Sequence, residues 1–206
     1  MYLHTLMTAV GAYIIGSING AIIASKYIYR VDIRSFGSGN PGLTNFYRVF
    51  GKSGVLVVLA IDILKTALSV LLGGWLFEYF YDLWSFGTAF SGFCVMLGHS
   101  YPIFYKFKGG KTVMSAGTVL FFVDWRVALV AWGIFILIVI LTKYVSLGSI
   151  IAAISYPVFM ALFKAGPAEI AISALSAALI IFRHSANIQR FNLGTESKFS
   201  FRRNKE

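Results

Sequence analysis

Apolar and polar residues come in blocks along this chain. Tyr2 to Ser25 carries no Asp, Glu, Lys or Arg, Ser53 to Phe77 carries only Asp62 and Lys65, and Tyr144 to Phe163 is again uncharged. Uncharged runs of about 20 residues match the roughly 30 Å hydrocarbon core of a bilayer when helical. The blocks predict an all-α, polytopic integral membrane protein with spans near 3–25, 54–77, 83–98, 112–124, 126–142, 147–163 and 167–182. The fourth block is short. Only Thr112 to Val123 separate Lys111 from Asp124, and a helix of about a dozen residues covers about 18 Å. Seven transmembrane helices are expected, with five spans plus a re-entrant hairpin of the fourth and fifth blocks as the alternative. No linker, repeat or low-complexity tract divides the chain, which reads as one membrane-embedded domain over 1–206 with a basic tail at 199–206.

Charge sets the orientation. The net charge of +10 would suit nucleic acid, but the basic residues sit in short connections between apolar runs, so no nucleic acid is expected. Fifteen of the eighteen Lys and Arg residues fall on one side of the alternating loops, and the other side holds only Arg126 and Lys164. Cytoplasmic loops are the ones enriched in Lys and Arg. The expected topology therefore has the N-terminus outside and the C-terminus in the cytoplasm, which requires an odd number of crossings. Cys94 is alone inside an apolar run, which leaves no disulfide or thiolate metal site. No Lys or Arg precedes the first apolar run, against a cleaved signal peptide.

Three stretches on the basic side are richer than orientation requires. They are SFGSGNPGLTNFYRVFGKSG (35–54), GHSYPIFYKFKGGKT (98–112) and RHSANIQRFNLGTESK (183–198). Glycines let backbone N–H groups converge on an anion, arginine clamps phosphate through two parallel bonds, and lysine adds a mobile charge. Together the stretches point to a phosphate-binding pocket at the membrane edge. GGKT ends like a nucleotide-binding P-loop, but that loop needs Gly five residues before Gly110, where Tyr105 stands. No G-x-S-x-G, H-E-x-x-H or His-x₄-Asp pattern occurs. Chemistry without a covalent nucleophile, bound metal or cofactor is expected.

These stretches resemble the bacterial acyl-phosphate:glycerol-3-phosphate acyltransferases (PlsY family). That family carries S-G-N-x-G-x-T-N-x-x-R, G-H-x-x-P-x-F-x-x-F-K-G-G-K-G and H-x-x-N-I-x-R-x-x-x-G-x-E, which read here SGNPGLTNFYR (38–48), GHSYPIFYKFKGGKT (98–112) and HSANIQRFNLGTE (184–196). The order is kept, and the resemblance runs from about residue 10 to 198. Pro41 and Leu43 depart from the usual residues, the usual D-x-x-K-G reads DILKT at 62–66, and Thr112 replaces the glycine after Lys111.

The resemblance implies a membrane enzyme with its active site on the cytoplasmic face of the bacterial cell membrane. It would transfer a fatty acyl group from acyl phosphate to glycerol 3-phosphate, giving lysophosphatidic acid and phosphate. By the same resemblance, Gly109, Gly110 and the catalytic Lys111 hold phosphate, Ser38, Arg48 and Lys111 grip glycerol 3-phosphate, and Lys108 belongs to the substrate site. Asn40, Asn45, His99, Ser149 and Glu196 would line the substrate site, Glu196 by orienting the third motif's asparagine or arginines. Asn187 would donate to the acyl oxygen as charge develops. The proton acceptor is either His184 or a substrate phosphate, the latter preferred. Asp62 and Lys65 lie three apart on one helix and share a face, which suggests a structural bridge beneath the first motif. Partners are the two substrates and membrane lipid; the sequence fixes no oligomeric state, and a monomer is compatible with it. A transporter for a phosphorylated solute is the rival from another class, and a non-catalytic membrane subunit the third reading.

Overall fold

The computed structural model describes residues 1–200, which are helical apart from their connections. The expected tail at 199–206 lies, save for Phe199 and Ser200, outside the described residues. The chain packs as two compact units, Met1–Val123 and Asp124–Glu206.

The first unit contains α1 (Tyr2–Gly16), α2 (Gly20–Ile28), α3 (Leu43–Phe50), α4 (Val55–Tyr81), α5 (Trp84–Ser100) and α6 (Val113–Val123). Within it, α4 packs against α1, α2, α5 and α6. The first apolar run is broken. Asn19 accepts a hydrogen bond from Ile22 N–H (2.9 Å), capping α2 and diverting the donor that an unbroken helix would aim at Ile18. An opened backbone must find partners elsewhere inside a membrane. Here they come from α4: Asp62 Oδ1 accepts the Gly20 N–H at 3.2 Å and Lys65 Nζ donates to the Ile18 carbonyl.

The second unit contains α7 (Trp125–Thr142), α8 (Val145–Leu162), α9 (Pro167–Arg183) and α10 (Ser185–Asn192). α8 packs between α7 and α9. The segment after α10 folds back on the α7–α8 junction, where Phe199 N–H donates to the Lys143 carbonyl at 2.7 Å.

The expectation of seven crossings is overturned. Among the described residues, four helical stretches are long and apolar enough to span: Tyr2–Ile28 with its internal break, Val55–Tyr81, Trp125–Thr142 and Val145–Leu162. A fifth arises only if α9 and α10, bent by 54°, act as one span. The seven apolar blocks do form helices, but length decides crossing. α6 has 11 residues, about 16 Å at ~1.5 Å per residue, half the ~30 Å core. α5 has 17 residues and spends several of them on Ser, Thr, Gly and His. The alternative's five spans lie within that upper count, but α7 is by itself long and apolar enough to cross, which does not favour pairing it with α6 in a hairpin. The odd-parity topology drawn from seven crossings loses its basis.

Candidate active site

In the first unit the first two polar stretches fold against each other. Asn45 builds the glycine turn: its Oδ1 accepts from Ser38 N–H (2.9 Å) and its Nδ2 donates to the Phe36 carbonyl (3.0 Å). Asn19 Nδ2 donates to the Pro41 carbonyl at 3.1 Å, tying the turn to the helix break. The same carbonyl oxygen lies 3.2 Å from where a Cβ would stand on Gly110. Arg34 forms a two-point pair with Asp32 (3.0 and 2.7 Å) and donates to the Tyr105 carbonyl (2.9 Å), fastening the 30s loop to the 100s loop. The Arg34 hydrogen bond outweighs burial and lowers the Asp32 carboxyl to about 2.

The second stretch leaves α5 at His99, which is 4% exposed. Gly110 N–H donates to the His99 carbonyl at 3.1 Å, bringing the glycine loop back onto the helix end. Glycine is needed there for space: a Cβ on Gly110 would overlap His99 Nε2, and one on Gly109 would overlap the His99 carbonyl and lie 2.8 Å from that of Ser100. Beneath the loop, Asp62 and Lys65 form an ion pair at 2.7 Å with both side chains 3% exposed. Lys65 Nζ lies 2.8 Å from His99 Nδ1. Ser38, Arg48 and Lys108 are exposed, Asn40 and Lys111 half-buried, and Asn45, Gly109 and Gly110 buried.

In the second unit the third stretch makes its own network around Glu196. Its Oε1 accepts from Ser146 Oγ (2.6 Å) and Asn187 Nδ2 (2.7 Å), and its Oε2 accepts from Arg190 Nε (2.8 Å). Burial would raise the Glu196 carboxyl, but the bonds from Ser146, Asn187 and Arg190 together hold it below the usual range. His184 stands at the bend between α9 and α10, buried, with Nδ1 donating to the Ile180 carbonyl at 2.8 Å. A neutral ring bonded in this way carries its lone pair on Nε2.

The comparisons with known proteins agree over nearly the whole chain. A family model described as "Glycerol-3-phosphate acyltransferase" matches residues 6–194. The chain belongs to that family. Among curated relatives, the glycerol-3-phosphate acyltransferase of Thermoanaerobacter pseudethanolicus is 39% identical over 95% of this chain and 96% of its own length. That of Photobacterium profundum is 40% identical over 94% of this chain and 92% of its own. Two solved structures of PlsY (YgiH), described as an integral membrane glycerol 3-phosphate acyltransferase, also match. Its glycerol 3-phosphate form superposes with TM-score 0.85 at 36% identity, covering 95% of this chain and 96% of that one. Its lysophosphatidic acid form gives 0.83 at 34% identity, with 96% of each chain covered.

Within this acyltransferase the structure sorts the residues expected from sequence. Ser38, Asn40, Asn45, His99, Gly109 and Gly110 lie in the first unit, Asn45 on α3, His99 near the end of α5 and the others on the loops beside them. His184, Asn187 and Glu196 meet in the second. Ser149 donates to its own helix, to the Val145 carbonyl at 2.8 Å, and Ser146, one turn earlier, is the serine that reaches Glu196. Reasoning from sequence missed Ser146, the Arg34 latch and the link from Lys65 to His99. Two serines three apart at the start of α8 were the available signal for the first.

Proposed function

We infer that the chain transfers a fatty acyl group from acyl phosphate to the sn-1 hydroxyl of glycerol 3-phosphate, releasing lysophosphatidic acid and phosphate. The observation that carries this reading is the family match across residues 6–194, which includes all three polar stretches. The match also runs through both units, which supports treating the chain as one membrane-embedded acyltransferase domain.

The chemistry suits the residues. The glycerol hydroxyl oxygen attacks the acyl carbonyl carbon, the bond from that carbon to the bridging oxygen breaks, and phosphate departs with that oxygen and the electron pair. Acyl phosphate is an activated mixed anhydride, so the protein's part is chiefly positioning and charge stabilisation. Ser38, Arg48 and Lys111 grip glycerol 3-phosphate, and Gly109 and Gly110 with Lys111 hold phosphate; Asn40, Asn45, His99, Lys108 and Ser149 shape or line the site. Asn187 stabilises the oxygen on which charge develops, and Glu196 orients Asn187. The hydroxyl proton passes to a substrate phosphate, with His184 as a positioning donor or acceptor. The site faces the cytoplasm of a bacterial cell, a reading supported by the basic residues concentrated in the motif loops.

The test is direct. Protein purified in detergent, given acyl phosphate and glycerol 3-phosphate, releases phosphate and forms lysophosphatidic acid in equal amounts. No release with acyl phosphate, and none with acyl-CoA or acyl carrier protein, would defeat the reading.

A further inference from the structure

We propose that Lys65, held by Asp62, is a positioning residue that fixes His99 as its Nε2–H tautomer. His99 then presents a permanent hydrogen-bond donor to the Gly109–Gly110–Lys111 loop. The inference deepens the function proposed above and rests on that reading for its phosphate ligand.

The argument is a count of hydrogen-bonding capacity. A lysine ammonium has three N–H donors and no acceptor. Around Lys65 Nζ stand three acceptors: Asp62 Oδ1 at 2.7 Å, the Ile18 carbonyl, and His99 Nδ1 at 2.8 Å. As the ammonium partner of the Asp62 carboxylate, Lys65 gives one N–H to Asp62 and one to Ile18, and the remaining N–H goes to the imidazole. A nitrogen that accepts from an ammonium carries no proton of its own, so the proton of neutral His99 sits on Nε2. Asp62 Oδ1 stands 3.6 Å from the same nitrogen. Nε2 borders Gly110, where any Cβ would overlap it.

A plug for the helix break needs less than this. Asp62 satisfies Gly20 and one Lys65 N–H satisfies Ile18, which closes the backbone. The third N–H, directed at His99, contributes nothing to that closure. Ionisable groups inside a membrane are generally paired and commonly functional. This pair does both: it seals the broken helix and sets the protonation pattern of a ring against the phosphate loop.

The experiment is a nitrogen-15 NMR spectrum of histidine-labelled protein in detergent at neutral pH, with the His99 signals assigned by their loss in His99→Gln. Wild type is expected to show a protonated Nε2 and an unprotonated Nδ1, and inorganic phosphate should shift the Nε2–H signal. In Lys65→Met the tautomers become mixed and the phosphate shift is lost. In acyl transfer, kcat/KM falls at least tenfold, mainly through a higher KM for glycerol 3-phosphate. Because Lys65→Met leaves Asp62 buried alone, the double variant Asp62→Asn/Lys65→Met is measured beside it and should show the same mixing. A wild-type His99 with a protonated Nδ1, or an unchanged tautomer in either folded variant, would overturn the proposal; if neither variant folds, the wild-type spectrum decides. A correct tautomer with no phosphate shift would overturn the donor role. The tautomer is read without turnover, so loss of acyl transfer in wild type would count against the proposed function and leave this inference standing.

Discussion

Replacing Thr112 by glycine should stabilise the protein. Thr112 follows Lys111 and precedes α6, with φ +59°, 1% exposure and a hydroxyl oxygen that has no hydrogen-bond partner among the described residues. The left-handed conformation costs an L-residue about 1–2 kcal/mol, and a β-branched one is especially crowded there. A buried hydroxyl left unpaired costs about 1–3 kcal/mol. Against this relief, glycine raises the entropy of the unfolded chain by about 0.4–1 kcal/mol. Losing the buried methine and methyl carbons costs about 1.6 kcal/mol plus a small cavity. Relief of about 3.5 kcal/mol set against a loss of about 2.5 leaves about 1 kcal/mol of net stabilisation. For a chain of this size that is a rise of about 2–4 °C in Tm. Thermal unfolding in detergent, followed by tryptophan fluorescence, measures it. Thr112→Ala is the control: it removes the hydroxyl but keeps a Cβ at positive φ, so it should gain less. A Tm for Thr112→Gly at or below wild type, or below that of Thr112→Ala, would refute the strain argument.

Gly110→Ala must displace the His99 ring, which Lys65 holds, so acyl transfer should fall about 100-fold with the helical circular dichroism retained. Glu196→Gln removes the charge that organises Ser146, Asn187 and Arg190, and kcat/KM should fall about tenfold. The Glu196 carboxyl is held below its ordinary value, so its contribution to stability is complete above about pH 4.3 and is lost as pH falls through the lower, folded value. The Tm difference between wild type and Glu196→Gln should shrink over that range. Asp32, lowered to about 2, behaves alike: its contribution holds above about pH 3.9 and disappears towards pH 2, and thermal shifts of Asp32→Asn should be flat there. Arg34→Ala frees the Tyr105 carbonyl and should raise the KM for glycerol 3-phosphate about fivefold with little change in kcat.

What the sequence made legible depended on how local its cause was. The three polar stretches could be read because each is a long string whose residue types serve one task, and because apolar runs do not tolerate such strings by accident. Asn187 and Glu196 were readable as a pair for the same reason, being nine residues apart on one turn-and-return. Helix positions followed from the apolar blocks. The number of crossings did not, since an apolar run marks what lipid or protein will accept and α6 ends after 11 residues. Thr112 was readable as a departure, but its positive φ was not.

The break between α1 and α2 shows where local reading stops. Gly16, Ser17, Asn19 and Gly20 look like small residues tolerated in an uncharged span. The cause of the break's stability is on another helix, more than 40 residues away, in Asp62 and Lys65. Inside a membrane, an opened backbone and a buried ion pair are each costly alone. Together each supplies what the other lacks: the carboxylate takes the loose N–H and the ammonium takes the loose carbonyl. An ion pair inside one span and an asparagine among small residues inside another are therefore two halves of a single signal. That pairing also explains why DILKT tolerates Thr66 in place of the usual glycine. Thr66 Oγ1 donates to the Asp62 carbonyl on its own helix at 2.7 Å, leaving the charged face turned to the break and to His99.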